Sequence, residues 1–245
     1  MRYLRVLGIK FIDGSFEEII SDLSDGGLMV VPAAPSLATI EVDFTYRNAL
    51  LKSDIAIFDS GYLCLLLRFF KGIHVRKVSG LEFLRKFLKY LQTCQGENVL
   101  LVDPSHADAA ANKNLLQAHG INLKIEQYVA PIYQADKLID ECLLQKVEEL
   151  RPKYIIINLG GGVQEVLGAY LKKEIDEFYK PIIICTGAAI AFLTGRQANI
   201  PKFMDYLYLG WLSRCISDPK RFIPRYLSGF KLFKLIIKTK VEKIL

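Results

Sequence analysis

Histidine is scarce in this 245-residue chain, and His74, His106 and His119 stand apart from one another and from any cysteine at ligand spacing. No zinc site is therefore expected. The five cysteines (Cys64, Cys94, Cys142, Cys185 and Cys215) form no CxxC pair. Most sit in apolar surroundings, which reads as reduced core residues of a cytosolic protein. Long apolar runs are missing as well, since a stretch such as Tyr62 to Leu67 is far too short to span a bilayer. The amino terminus, MRYLRVLGIKFIDGS, shows no signal peptide but a short apolar alternation, a strand from Leu4 to Phe11, broken by Asp13-Gly14. A soluble or peripheral protein is expected, not an integral one. Absent too is a GxGxxG opening a first βαβ unit, and Gly160-Gly161-Gly162 comes too late to supply one, which sets aside a dinucleotide-dependent oxidoreductase.

What is present is a regular alternation. The hydrophobic fraction of 51% with 24% charged residues is that of a globular chain, long enough for one large domain or a domain with an appendage. Ser15-x-x-Glu18 has the capping-box pattern for a helix reaching Leu23. A short strand, Leu28 to Val31, follows; then come a helix from Ser36 to Ser53, a strand from Asp54 to Phe58, and helices over Tyr62–Lys71 and Leu81–Gln92. The second half repeats the rhythm, with strands at Asn98–Val102, Leu123–Tyr128, Tyr154–Leu159 and Pro181–Cys185. Helices over Ala107–His119, Asp136–Leu150 and Val166–Tyr179 lie between them. Such alternation predicts an α/β fold: a doubly wound, mainly parallel sheet with helices on both faces. Ligands of these sheets bind outside the carboxyl ends of the strands. That directs attention to Pro32–Ser36, Asp59-Ser60-Gly61, Gly160–Glu165 and Thr186–Ala189.

The stretch YIIINLGGGVQE, Tyr154 to Glu165, joins a fully buried strand to a helix through three glycines. Glycines allow close backbone approach, and the first-turn N–H groups of the helix favour an anion. Gln164-Glu165 are placed to read a base or a ribose; a glycine-rich turn without a ligand is the alternative.

Basicity is confined to the end of the chain. From Lys202 onward there are ten Lys or Arg against three Asp or Glu, net +7, whereas the whole chain is +6, leaving about −1 upstream. Trp211, Phe222, Tyr226, Phe230 and Phe233 interleave there with Arg214, Lys220, Arg221, Arg225, Lys231, Lys234 and Lys238. This composition suits a segment lying on an anionic membrane surface; nucleic acid and a final helix docked by its apolar face are the competing readings. We divide the chain into a Rossmann-like core, residues 1–199, and a basic, aromatic-rich amphipathic helical appendage, residues 200–245.

Over nearly its whole length the chain resembles the WecG/TagA/CpsF family of bacterial glycosyltransferases. The matching residues are Asp54-Ile-Ala-Ile-Phe-Asp59-Ser-Gly61, Arg76-Lys-Val-Ser-Gly80-Leu-Glu82 and Gly160-Gly-Gly-Val-Gln164-Glu165. In the tail they are Ile200-Pro-Lys202, Leu209-Gly-Trp211-Leu-Ser-Arg214, Asp218-Pro-Lys-Arg221 and Arg225-Tyr-Leu227. The resemblance implies an inverting, metal-independent and cofactor-free transferase. It implies a UDP-sugar donor, often of the N-acetylmannosamine type, and a polyprenyl-diphosphate-linked acceptor in cell-surface polysaccharide or teichoic acid synthesis. It further implies a homo-oligomer, peripheral on the inner face of the plasma membrane, and leaves no role for nucleic acid.

Carried over position by position, the resemblance makes Asp59 the general base that deprotonates the acceptor hydroxyl. Asp54 stays open as an alternative, and Asp59 as a plain helix cap. It puts Gly160, Gly161, Gly162, Gln164, Glu165 and Gly187 at the nucleotide sugar. Arg214, Arg221 and Arg225 fall on the diphosphate, where guanidinium forks can replace a metal, and Trp211, Lys231, Lys234 and Lys238 on the membrane. Four polar positions of the family pattern are apolar or bare here: Val31-Pro32-Ala33, Gly160-Gly161-Gly162, Ile190-Ala191-Phe192 and Gly210. Because hydroxyl specificity comes from matched polar partners, altered donor choice or an inactive, nucleotide-sugar-binding scaffold subunit are the expected consequences to weigh.

Overall fold

The computed structural model describes residues 1–133, 138–187, 189–196, 216 and 219–244, without the side chains of 221, 222, 225, 226 and 228. Nine strands form one sheet: β1 (Arg2–Val6), β2 (Ile9–Asp13), β3 (Gly27–Val30), β4 (Ile55–Ile57), β5 (Asn98–Asp103), β6 (Lys124–Val129), β7 (Tyr154–Ile157), β8 (Ile182–Cys185) and β9 (Glu242–Ile244). Their spatial order is β6-β5-β7-β8-β3-β4-β2-β1-β9. The seven strands from β6 to β2 are mutually parallel, while β1 runs antiparallel to both β2 and β9. The expected α/β architecture is therefore present.

The described helices are α1 (Phe16–Asp22), α2 (Ala34–Leu37), α3 (Phe44–Lys52), α4 (Gly61–Lys71), α5 (Gly80–Leu91) and α6 (His106–Ala118). They continue with α7 (Glu141–Leu150), α8 (Val163–Glu174), α9 (Ala189–Leu193), α10 (Pro219–Gly229) and α11 (Lys231–Lys238). Alternation along each strand splits the core between the two faces of the sheet. Val30, Ala56, Val102, Ile155 and Ile157 pack with Leu50 of α3, Leu67 of α4, Val147 of α7, Leu167 of α8 and Leu232 of α11. Met29, Ile57, Leu101, Tyr154 and Ile156 pack on the opposite face with Ile19 of α1, Phe87 of α5, Leu116 of α6 and Ile190 of α9. The uninterrupted apolar runs of the sequence are thus strands covered on both sides.

Several local readings change. The single strand expected over Leu4–Phe11 is a hairpin, β1–β2, because Leu7 and Gly8 both take positive φ (55° and 83°), the requirement of a tight two-residue turn. The helix expected over Ser36–Ser53 is two: α2 stops at Leu37, and α3 restarts where the Asp43 carboxylate accepts the Tyr46 N–H at 2.9 Å. Helix α8 runs Val163–Glu174, starting three residues before the expected Val166 and ending five before the expected Tyr179. Of the helix expected over Asp136–Leu150, residues 136–137 lie outside the described residues, and α7 begins at Glu141, capped by Asp140.

The carboxyl-terminal segment is tied into the domain. Leu232 and Ile236 of α11 are fully buried in the core. Strand β9 extends the sheet by pairing Tyr3 with Ile244 and Arg5 with Glu242. Helix α10 packs on α2, where a Cβ on Gly229 would lie 3.6–3.7 Å from Pro35. No helix among the described residues is long and apolar enough to cross a membrane. Leu232→Ala or Ile236→Ala is expected to cost about 2–5 kcal/mol through cavity formation. Urea denaturation followed by circular dichroism measures it, and a loss under about 0.5 kcal/mol, the range of plain surface substitutions, would place α11 outside the cooperative core.

Candidate active site

All seven parallel strands present their carboxyl ends to one rim, and the residues singled out in the sequence that the structure describes there form a connected path. It starts at Asp59, two residues beyond β4 and half-buried. The chain folds back at this point, the Asp59 N–H donating to Ile57 O at 3.0 Å. One carboxylate oxygen, Oδ1, accepts the N–H of Gly80, the first residue of α5, at 2.9 Å. Ser60 and Ser79 cap the two flanking helices, their hydroxyls accepting the Leu63 and Glu82 N–H groups at 3.2 and 3.1 Å. Asp59 is thereby held between the amino ends of α4 and α5. Asp54, the alternative acid, lies at the other end of β4. There it accepts the Leu28 N–H at 2.7 Å and pairs with Lys172 at 2.7 Å, away from the rim.

Gly80 carries the path to the next two strands. A Cβ at this position would stand 3.2 Å from Val31 Cγ1 and 3.4 Å from Thr186 O, so α5 lies close against the ends of β3 and β8, and a side chain here would need the Val31 methyl to give way by a few tenths of an ångström. Gly187, at φ 63°, follows Thr186 and donates its N–H to Gln164 Oε1 at 2.6 Å. Gln164 Nε2 donates in turn to Glu165 Oε1 at 3.0 Å, and Glu165 Oε2 accepts the Gly162 N–H at 2.7 Å. This last bond is the return half of a capping box; the forward half cannot form because Gly162 has no side chain.

Gln164 and Glu165 are only 2% and 1% exposed. Their side chains fasten the β7–α8 turn to the end of β8 and shape the loop from within. The exposed surface of that loop is backbone: Gly160 and Gly161 face solvent, and a Cβ on Gly160 or Gly162 would meet nothing within 4 Å among the described residues. Among the described residues the first turn of α8 is thus bordered by glycine main chain, the kind of surface that lets a ligand approach the backbone.

Two features were not singled out in the sequence. Lys77 is half-buried and precedes Val78, whose N–H donates to Phe58 O at 3.1 Å, which brings it beside the Asp59 turn. The buried Cys64 thiol is pushed up to about 12 chiefly by burial, with the Lys77 charge opposing the shift and Asp59 adding to it, so both charges bear on one thiol. The signal was available, since Lys77 lies within the matched segment Arg76–Glu82. The second feature is a buried polar knot at the ends of β5 and β7. Asp103 Oδ1 accepts from Asn112 Nδ2 at 2.6 Å and Asn158 Nδ2 at 2.7 Å. Asp103 Oδ2, both asparagine Oδ1 atoms and the nearby-rim hydroxyl Thr186 Oγ1 have no partner among the described residues. Burial raises the Asp103 pKa, and the two amide bonds oppose the shift. The readable signal was a polar residue closing each apolar run, VLLVD and YIIIN.

Of the tail residues, Trp211 and Arg214 fall outside the described residues, and Arg221 and Arg225 are described in backbone only, on α10. Helix α10 packs on α2, which follows β3 directly, so the segment bearing both arginines sits at the same rim as Asp59. Phe230, at its end, meets the ring of Tyr62 in the first turn of α4 at 5.6 Å. Lys231, Lys234 and Lys238 are exposed along α11.

Residues 4–244 match the sequence model described as the glycosyl transferase WecG/TagA/CpsF family. A Staphylococcus aureus (strain MRSA252) protein named N-acetylglucosaminyldiphosphoundecaprenol N-acetyl-beta-D-mannosaminyltransferase is 20% identical over 224 residues, covering 88% of this chain and 85% of that protein. Proteins of the same name from strains MW2 and NCTC 8325 / PS 47 are 19% identical with the same coverage.

Two outcomes follow from this geometry. Gln164→Leu strands the Gly187 N–H and removes a donor from Glu165, and is expected to cost about 1–3 kcal/mol, read by chemical denaturation; a neutral result would show that the pair does not hold the loop. A carboxyl whose pKa is raised in the folded state makes stability fall as pH rises from about 4, the unfolded value, through the folded value. The advantage of Asp103→Asn over the parent should therefore grow across that window. Melting temperatures between pH 4 and 8 check it, and parallel curves would contradict it.

Proposed function

The chain belongs to the WecG/TagA/CpsF family of glycosyl transferases, and from that premise we propose that it moves an N-acetylhexosamine-type sugar from a UDP-sugar to a polyprenyl-diphosphate-linked acceptor. The nearest support for the acceptor is the printed name of the Staphylococcus aureus relatives, which specifies an undecaprenol diphosphate bearing N-acetylglucosamine. The observation that carries the reading is the position of Asp59: a carboxylate at the carboxyl end of a central parallel strand, held by the Gly80 N–H and joined by contacts to the glycine loop before α8.

In this reading Asp59 takes the proton of the acceptor hydroxyl as its oxygen attacks the anomeric carbon from the face opposite the nucleotide. The new glycosidic bond forms with inversion while the bond to the UDP oxygen breaks, and UDP leaves with the electron pair. Gly160, Gly161, Gly162 and Gly187 offer main chain to the donor, and Gln164 and Glu165 hold that main chain in place. Arg214, Arg221 and Arg225 of the tail, with Lys77 of the core, supply the positive charge that a departing diphosphate needs, so the step requires no metal. Arginine forks match a diphosphate better than single ammonium groups do. Self-association and placement at an anionic membrane face belong to the same proposal, with Trp211, Lys231, Lys234 and Lys238 as lipid contacts.

The apolar and bare positions Val31-Pro32-Ala33, Gly160–Gly162 and Ile190-Ala191-Phe192 support the second reading, a nucleotide-sugar-binding subunit without turnover. One experiment separates the two. Screening UDP-sugars by thermal shift, then assaying transfer to the lipid-linked acceptor, should find a stabilising donor that the parent turns over. Asp59→Asn should keep the thermal shift and lower kcat by about a hundredfold or more. Donor stabilisation without turnover in the parent selects the binding subunit, and turnover undiminished in Asp59→Asn excludes this residue as the base.

A further inference from the structure

Two helices from distant parts of the chain lie side by side on one face of the sheet. Helix α4 follows the Asp59 turn directly, and α11 comes 160 residues after it in the chain, beginning at Lys231 against Lys71 at the end of α4. Tyr62 meets Phe230 edge-on at 5.6 Å, Phe70 meets Phe233 at 5.0 Å, and Lys71 Nζ donates to Ile237 O at 2.9 Å. These contacts advance in the same order along both helices, so the two run parallel. Leu63, Leu66 and Leu67 of α4 and Leu232 and Ile236 of α11 face the core.

The outer side of the pair is unusual for a solvated surface. Phe69 is 71% exposed, Phe230 61% and Phe70 51%, with Leu65 and Ile237 beside them. Helical surface of this kind ordinarily carries mixed charge. Here residues 61–72 and 230–240 hold six Lys or Arg and no Asp or Glu. Arg68, Lys231, Lys234 and Lys238 are exposed among the apolar side chains. Apolar groups ringed by cations of one sign fit an interface that is greasy below and negatively charged above. A second copy of the same face fits poorly, since a two-fold pairing sets like charges against each other.

We propose that α4 and α11 form one composite docking face for an anionic lipid bilayer, in which the core helix supplies the inserting aromatics. Phe69, Phe70 and Leu65 enter the acyl boundary, while Arg68, Lys71, Lys231, Lys234 and Lys238 meet the headgroup phosphates. Both helices then lie in the plane of the interface. Because Ser60 caps α4 and Asp59 precedes it, the base sits at one end of this face, about 15 Å along the helix from Phe70. The lipid contact thereby also sets the height of the catalytic rim above a bilayer-anchored acceptor. This inference deepens the proposed function and rests on its lipid-linked acceptor, but the surface can be tested by itself.

The test uses the full chain. Its sedimentation is measured with phosphatidylglycerol–phosphatidylcholine vesicles and with phosphatidylcholine vesicles, for the parent and for Phe69→Ser, Leu65→Ser/Phe69→Ser, Arg68→Glu and Lys234→Glu. Circular dichroism confirms the fold of each variant. The parent is expected to bind the anionic vesicles and to be released by salt. Each apolar substitution should weaken binding about tenfold or more, and the charge reversals should remove the preference for anionic lipid. Transfer to a water-soluble, short-chain acceptor should stay at the parental rate in the Phe69 variants, while transfer to an acceptor embedded in vesicles falls. Parental vesicle binding in the Leu65→Ser/Phe69→Ser variant overturns the proposal, as does loss of concentration-dependent self-association in that variant without loss of vesicle binding. If the parent transfers sugar to neither acceptor, the proposed function fails while the vesicle measurement still decides the surface.

Discussion

A single hydrogen bond, from the backbone N–H of Gly80 to the Asp59 carboxylate, organises the rim on which everything else converges. It joins the end of β4 to the first turn of α5, where α5 lies so close to β3 and β8 that a Cβ on Gly80 would crowd Val31. A parallel sheet brings every carboxyl end to one side, but closeness along that side is a separate achievement. Here it is helped by glycine where helix meets sheet and by serine caps that fix where α4 and α5 begin. Asp59 is consequently held at the rim by the Gly80 N–H, between two capped helix ends, a fixed position that suits the proposed general base.

The rim divides its polar groups into those that hold and those that face a ligand. Gln164 and Glu165 resemble a recognition pair in the sequence, yet both are spent on the main chain of their own loop and of Gly187. What they expose is a glycine backbone. The Asp103–Asn112–Asn158 knot does similar structural duty at the next pair of strand ends, tying α6 to β5 and β7. It is held at an electrostatic cost, because a buried carboxylate with only amide partners is poorly solvated.

The end of the chain serves two purposes with one set of residues. Its inner positions, Leu232 and Ile236, complete the core, and β9 closes the sheet edge beside β1. Its outer positions continue the cationic, aromatic surface that α4 begins. The same segment reaches the rim, since α10 packs on α2 and Phe230 on Tyr62, next to the Asp59 turn.

Much of this was legible in the residues. The alternation of β-branched runs with amphipathic stretches determined the parallel α/β sheet, and the Ser15-x-x-Glu18 box placed the start of α1, because such signals act locally. Asp59 and the glycine loop were singled out because they follow strands whose carboxyl ends are where such folds bind ligands, and both do lie at that rim. Misreadings arose where a local pattern had two solutions. Leu7-Gly8 passes for strand until its positive φ turns the chain, and residues 36–53 pass for one helix until the Asp43 cap restarts it. Only the tertiary structure decided that Gln164 and Glu165 face inward, that Lys77 stands by Asp59, and that the basic segment is anchored by two buried residues and a strand. Burial and long-range pairing depend on what other parts of the chain bring to the same place, and no window of sequence contains that information.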